Sequence, residues 1–141
     1  ANNMGCAMAP AACATIQAHF ADTGRRPSDY DLILTGDLGQ FGWEILKDLL
    51  RRDGVQADNL YDCGTLIYDL KRQDVHCGGS GCGCSAVVLT GYLLNGMRAG
   101  KWKHILFCGT GALLSPTSTQ QGESIPGICH AVAISTKQGG L

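Results

Sequence analysis

The sequence has few charged residues and no excess of either sign. Its 141 residues include 11 Lys and Arg against 12 Asp and Glu, a formal net charge of −1, and charged residues make up 16% of the chain. Proteins that bind nucleic acid or anionic lipid electrostatically need a basic surplus, so we expect neither partner. Apolar residues make up 45% of the chain, which excludes an intrinsically disordered protein.

Long apolar runs and periodic glycines are also missing. A membrane-spanning helix needs about 20 consecutive apolar residues, and the most apolar stretch, residues 85–94, is interrupted by Thr90, Gly91 and Tyr92. The 20 glycines follow no G-X-Y period, which excludes collagen and predicts tight loops. We therefore expect a soluble or peripheral protein.

Cysteine, in contrast, is abundant. The chain has 8, an even number that is typical of disulfide-linked proteins. Reduced thiols are nevertheless favoured, because no secretory signal is visible at the start ANN and 141 residues can bury a core without disulfides. His76, Cys77, Cys82 and Cys84 lie close together, but their spacing is not a standard zinc pattern, so we expect no metal site.

Hydrophobic periodicity predicts alternating helices and strands. Helices are expected from Pro10 to the cap Gly24 and over residues 41–52 and 82–98. Strands are expected over residues 32–34, 103–108 and 128–135, with a short one near Leu60 or Leu66 and a loop over 109–126. The last strand should pair antiparallel with the one before it. The pattern predicts an α/β fold, a mixed, mostly parallel sheet with helices packed on it.

We interpret residues 1–141 as a single domain without an internal repeat or linker. The chain opens on a helix rather than on the strand that would normally precede it. The helix over 82–98 is apolar on most faces, more than a small free domain needs. Both features indicate one half of a larger, two-half protein.

Several motifs resemble one known superfamily over nearly the whole chain, from Pro10 to Thr136. YDLILTG at 30–36 before the helix, GCGCSA at 81–86 and HILFCGTG at 104–111 are similar to the C-terminal half of a thiolase-like ketosynthase III. Within that superfamily, MG and AMAPAA near the start, TGDLG at 35–39 and GGSGCGCS at 78–85 resemble the stage V sporulation protein AD family.

The resemblance also implies a loss of chemistry. Condensing enzymes of this kind use a Cys nucleophile from the N-terminal half, with a His and an Asn from this half. The His position here holds Gly36 and the Asn position holds Cys82. Glycine has no side chain to stabilise an oxyanion, and a thiol is a poor substitute for an amide donor. We therefore expect no enzymatic activity and no catalytic residue in this chain.

The ligand that the resemblance implies is pyridine-2,6-dicarboxylate (dipicolinic acid), taken up into the developing bacterial spore. No resident cofactor is implied, although the ligand can carry calcium as its chelate. The implied partners are the membrane subunits of the spore dipicolinate channel and a second copy in a homodimer. The implied location is the developing spore, with the protein soluble or peripheral at the inner spore membrane.

Candidate ligand-binding residues lie in two loops. The first follows a strand end, where the superfamily keeps its active site, and the second is a glycine-rich entry to a helix whose N–H groups favour a dianion. The candidates are Gly36, Asp37, Ser80, Cys82, Gly83 and Cys84. Asp37 would repel a free dianion but could contact the calcium of a chelate.

Other interpretations stay open. Residues 36–39 also fit a glycine-rich turn in which Asp37 caps the next helix, and Cys82 fits either a reactive thiol facing a pocket or a small residue chosen for its size. An alternative function is a ketosynthase III-like acyltransferase with a rearranged site. A third is a scaffold that docks on membrane subunits.

Overall fold

The strands of the described chain form one sheet in the order β2–β1–β3–β4. They are β1 (Leu32–Thr35), β2 (Leu60–Asp62), β3 (His104–Ala112) and β4 (Gly127–Ser135). β1 runs parallel to β2 and β3, whereas β4 runs antiparallel to β3, as the sequence predicted. The computed structural model describes residues 3–78, 81–113 and 115–136, without the side chains of residues 118 and 119.

Helices cover both faces of this sheet, which confirms the predicted α/β fold. They are α1 (Met4–Thr23), α2 (Gly39–Arg52), α3 (Cys63–Leu66), α4 (Cys84–Val88), a π-helical turn (Leu89–Leu93), α5 (Leu94–Arg98) and α6 (Pro116–Gln120), with a 3₁₀ turn at Pro27–Asp29. Ile33 packs in a core cluster with α1 and α2, while the adjacent Leu34 packs with α4 and α5. Neighbouring residues enter different clusters because successive side chains of a strand point to opposite faces.

The first helix is longer than the sequence predicted. It begins at Met4 rather than Pro10, and the Asn3 side chain caps it by accepting a hydrogen bond from the Cys6 N–H at 3.2 Å. Pro10 therefore lies inside the helix, where its missing N–H costs a hydrogen bond. The first turns of α1 also pack closely on α2: a Cβ on Gly42 would lie 2.9 Å from the Gly5 carbonyl carbon, so the two backbones nearly touch.

The predicted helix over 82–98 is wrong at its start and in its middle. Cys82 and Gly83 precede α4, which starts at Cys84, and the helix widens into the π-helical turn at Leu89. Thr90 Oγ1 donates to the Ala86 carbonyl at 2.8 Å in this region. Such side-chain bonds compete with the regular backbone ladder, so hydrophobic periodicity predicted a helix without revealing its irregular turn.

The structure fixes the bounds of the short strand predicted near Leu60 or Leu66 and shortens the loop predicted over 109–126. β2 starts at Leu60, not at Leu66, and α3 follows it directly. β3 continues to Ala112, beyond the predicted end at Cys108, because β4 pairs with it as far as Ala112 opposite Gly127. Pairing between distant segments decides these boundaries, and local sequence patterns do not report it.

Part of the predicted apolar helix remains uncovered in the described chain. Val88 and Leu93 are buried, but Val87 and Tyr92 are 57% and 50% exposed. On β4, Ile128 and Val132 are also exposed. Among the described residues, no helix combines the length and apolar character needed to cross a membrane.

A polar contact ties the end of α1 to the segment before β1. His19 Nε2 lies 2.5 Å from the Tyr30 hydroxyl, to which Arg25 Nη1 donates at 3.0 Å. Since Arg25 donates to the Tyr30 oxygen, the hydroxyl hydrogen is available to the neutral His19 ring. Burial lowers the pKa of His19, and the charge of Arg25 lowers it further.

We expect the protein to lose stability as the pH falls below about 6.5, the usual His pKa. The unfolded chain takes up a proton on His19 at a higher pH than the folded protein does, so acid favours unfolding through this group. Thermal melts between pH 7.5 and 5 should show a shallower pH slope for His19→Gln than for the wild type. The control is His130→Gln, an exposed residue on β4; equal slopes for the wild type and His19→Gln would contradict the prediction.

Candidate functional site

The carboxyl ends of β1 and β2 lie side by side and carry the loops that form the candidate site. Thr35 ends β1 opposite Asp62, the last residue of β2. Open α/β sheets bind ligands at this end of their strands. The geometry therefore brings the 36–38 loop next to a residue that the sequence analysis did not select.

Asp62 is completely buried and accepts hydrogen bonds with both carboxylate oxygens. Oδ1 accepts from Thr35 Oγ1 at 2.6 Å and from the Leu38 N–H at 2.9 Å. Oδ2 accepts from the N–H groups of Gly39 and Gly64 at 3.0 and 3.1 Å. Burial raises the pKa of Asp62, while its hydrogen bonds from Thr35, Leu38 and Gly39 oppose that shift. All four partners are donors, the set that an ionised carboxylate requires.

The sequence left open that Asp37 caps the helix that follows it, α2. The structure shows a different cap. The N-cap residue of α2 is Leu38, which makes no side-chain cap of its own. The carboxylate that binds the first amides belongs to Asp62, which also caps α3 through Gly64. One buried side chain thus satisfies N-terminal amides of two helices.

Asp37 is half-buried and connects three parts of the site. Its N–H donates to Thr110 Oγ1 at 3.2 Å, which ties the loop to β3. Its Oδ2 accepts a hydrogen bond from the Gly81 N–H at 3.1 Å. Its Oδ1 lies where a Cβ on Gly64 would be, so any side chain there would displace the Asp37 carboxylate. The predicted residue Asp37 and the glycine-rich entry to α4 are therefore neighbours.

Gly36 is enclosed, and a side chain there would displace Thr110. A Cβ at this position would lie 2.8 Å from Thr110 Oγ1 and 3.0 Å from the Thr110 nitrogen, both far below ordinary contact distance. It would also lie 3.6 Å from the Cβ of Ser85 at the start of α4. The space next to the end of β1 is thus filled by β3 and α4.

The other predicted site residues lie in different environments. Cys82 is exposed and Gly83 borders open space, whereas Cys84 is buried among the apolar residues of α4 and α5. Ser80 lies outside the described residues. Gly81 has a φ of +83°, a left-handed conformation that favours glycine, and its carbonyl accepts a hydrogen bond from the Cys84 N–H at 3.1 Å.

All eight cysteines of the chain are free thiols. Burial raises the pKa of the Cys63 thiol, and the carboxylate of Asp62 raises it further. A hydrogen bond to Cys129 and burial likewise raise the pKa of Cys108. These core thiols are neutral and therefore weak nucleophiles. Within residues 3–78, 81–113 and 115–136, no group of three or more His, Cys, Asp or Glu side chains could hold a metal ion.

An open groove of about 220 Å³ lies elsewhere, between the end of α2 and the segment before β2. Its walls include Lys47, Arg51 and Asp58. Lys47 lies 3.6 Å from the centre of the Trp43 ring, so this cation already has a partner. The groove contains none of the candidate site residues.

Sequence reasoning missed Asp62, Gly64 and Thr110. One signal was available: Asp62 ends a short strand as Asp37 follows another, and ends of parallel strands meet at one edge. The sequence placed that strand only near Leu60 or Leu66, so its end could not be fixed. Thr110 was assigned to a loop, whereas it lies within β3.

The chain is similar to known proteins of one family over nearly its whole length. The family model described as Stage V sporulation protein AD matches residues 1–135. Stage V sporulation protein AD of Bacillus subtilis (strain 168) is 52% identical over 131 residues, which are 92% of this chain. The chain spans 38% of the length of that curated relative.

Substituting Gly36 should test how tightly the site is packed. We expect Gly36→Ala to lower the free energy of unfolding by about 1–3 kcal/mol, the usual cost of overpacking, because Thr110 must move and weaken its bond to the Asp37 N–H. Gly83→Ala is the matched control, since its φ of −85° suits alanine and nothing lies within 4 Å of its added Cβ. Chemical denaturation measures both, and equal stabilities of the two variants would contradict the packing.

Proposed function

The chain belongs to the stage V sporulation protein AD family, and from this premise we propose that it is a catalytically silent protein that binds pyridine-2,6-dicarboxylate (dipicolinic acid) for uptake into the developing spore. A role in sporulation follows from the family itself. The ligand and the absence of catalysis are the proposed parts. They are supported by two features of the candidate site.

The observation that carries the binding proposal is the hydrogen bond between the Gly81 N–H and the Asp37 carboxylate at 3.1 Å. It places a main-chain donor of the glycine-rich loop against a carboxylate group. In this contact the main chain of the loop already holds one carboxylate, and main-chain N–H groups bind anions without a basic side chain. This suits a chain whose net charge is −1.

The enclosure of Gly36 supports the absence of condensation chemistry. The resemblance to condensing enzymes puts a His at this position, and Thr110 occupies the space that its Cβ would need. The resemblance puts an Asn at Cys82, whose side chain is exposed. A stabilised oxyanion needs donors fixed within hydrogen-bond distance, and neither position supplies one.

The carboxylate of Asp37 favours binding of the ligand as its calcium chelate. Its half-buried carboxylate would repel a free dianion, but hard carboxylate oxygens are ligands that Ca²⁺ prefers. The calcium chelate of the ligand carries no net negative charge to repel. We therefore propose that calcium arrives with the ligand rather than as a resident cofactor.

The proposed partners are those that the sequence resemblance implies, and no contact of the site bears on them. They are the membrane subunits of the spore dipicolinate channel and a second copy of the protein in a homodimer. The proposed location is the developing spore, at the inner spore membrane. The residues 1–141 form one domain in this proposal, part of a larger two-half protein.

Calorimetric titration of dipicolinate into the full-length protein tests the function directly. We expect binding that calcium strengthens about tenfold, which equals ~1.4 kcal/mol. Asp37→Asn should remove most of this calcium effect, because the amide neither repels the dianion nor contacts calcium as strongly. Asp58→Asn is the control, since Asp58 is an exposed carboxylate on the distant groove.

Four results would each count against part of the proposal. Heat from an acyl-CoA with none from dipicolinate, or ketoacyl synthesis above background, would favour the rearranged acyltransferase. Equal binding of benzoate, which has one carboxylate, would show that the site does not select a dicarboxylate. A calcium effect that survives Asp37→Asn would remove Asp37 from the site.

A further inference from the structure

We propose that Asp62 is the positioning residue of the candidate site: its carboxylate, buried at the end of β2, fixes the segment that holds Asp37 in place. This inference rests on the proposed function, since it assigns Asp37 a role in ligand binding. Asp62 itself is completely buried and touches no ligand space. Its effect therefore passes through the residues that donate to it.

The donors come from segments on both sides of Asp37. Thr35 precedes it, and the N–H groups of Leu38 and Gly39 follow it, all within 3.0 Å of an Asp62 oxygen. The loop is thus held before and after the residue whose side chain faces the Gly81 N–H. With both flanks fixed, the Asp37 backbone has little freedom to change direction.

Asp62 also fixes the surface on which the Asp37 carboxylate rests. Its Oδ2 accepts from the Gly64 N–H at 3.1 Å. A Cβ on Gly64 would lie 3.0 Å from that same oxygen and would also collide with Asp37 Oδ1. Both carboxylates therefore lie close to one glycine, and a shift of Gly64 would change the packing of the Asp37 carboxylate.

Three of the four partners are main-chain N–H groups, which can only donate, so both oxygens of Asp62 must accept. An asparagine of the same size has one accepting oxygen, and its amide hydrogens would face main-chain N–H groups. Asp62→Asn therefore keeps the volume and removes the acceptor for two of the four hydrogen bonds. The expected result is a loosened 36–39 segment in a chain that keeps its core.

Hydrogen exchange measures the loosening without any ligand. The asparagine of Asp62→Asn keeps one accepting oxygen, so either Leu38 or the pair Gly39 and Gly64 loses its acceptor. We expect the amides that lose it to exchange at least about tenfold faster in full-length Asp62→Asn than in the wild type. The affinity for dipicolinate with calcium should fall about tenfold or more. Unchanged exchange at these three amides would overturn the proposal, whether or not dipicolinate binds.

A control separates positioning from general loss of stability. Leu50 is 1% exposed and lies about 16 Å along α2 from Gly39 at 1.5 Å per residue. Leu50→Ala should therefore destabilise the protein while leaving the dipicolinate affinity within about twofold. If Leu50→Ala and Asp62→Asn weaken binding equally at equal losses of Tm, the role of Asp62 is structural only and the proposal fails.

A second variant serves if Asp62→Asn does not fold. Thr35→Val removes the shortest of the bonds to Asp62, 2.6 Å, and keeps the side-chain volume. We expect several-fold faster exchange at Leu38, which shares Oδ1 with Thr35, and about threefold weaker dipicolinate binding. Wild-type values for both would overturn the proposal. If the variants exchange faster but the wild-type protein itself binds no dipicolinate, only the proposed function is contradicted.

Discussion

A single buried carboxylate holds the carboxyl end of the sheet together. Moving a charged group out of water is costly, and Asp62 is tolerated because its oxygens accept four hydrogen bonds from donors alone. Through these bonds the end of β1, the start of α2 and the start of α3 converge on one side chain. The loops of the candidate site take their positions from this convergence.

Close approaches at glycine determine what those loops can hold. Gly36 lets Thr110 lie against the end of β1, and Gly64 lets the Asp37 carboxylate lie against α3. Gly5 and Gly42 play a similar part away from the site, where they bring α1 and α2 into contact. The glycine content of the chain thus serves packing as well as turns.

Close packing at Gly36 also bears on the resemblance to condensing enzymes. At Gly36 the sequence indicated only that a catalytic side chain was absent, whereas the structure places Thr110 in the space that such a side chain would need. The loop retains a main-chain amide at Gly81 that faces a carboxylate. The donor that holds the Asp37 carboxylate is thus a main-chain N–H and not a basic side chain.

The sequence by itself determined the α/β class, the antiparallel last strand and the sporulation family, because periodicity and short motifs are local properties. It also selected Asp37 and the glycine-rich entry to α4, which prove to be neighbours. Only the tertiary structure decided the role of Asp62, the continuation of α1 through Pro10 and the filling of the space at Gly36. These features depend on contacts between distant residues, such as Asp62 with Leu38, 24 positions apart, and Thr110 with Asp37, 73 positions apart. No local pattern encodes such pairs, since each forms only when the sheet and its helices are assembled.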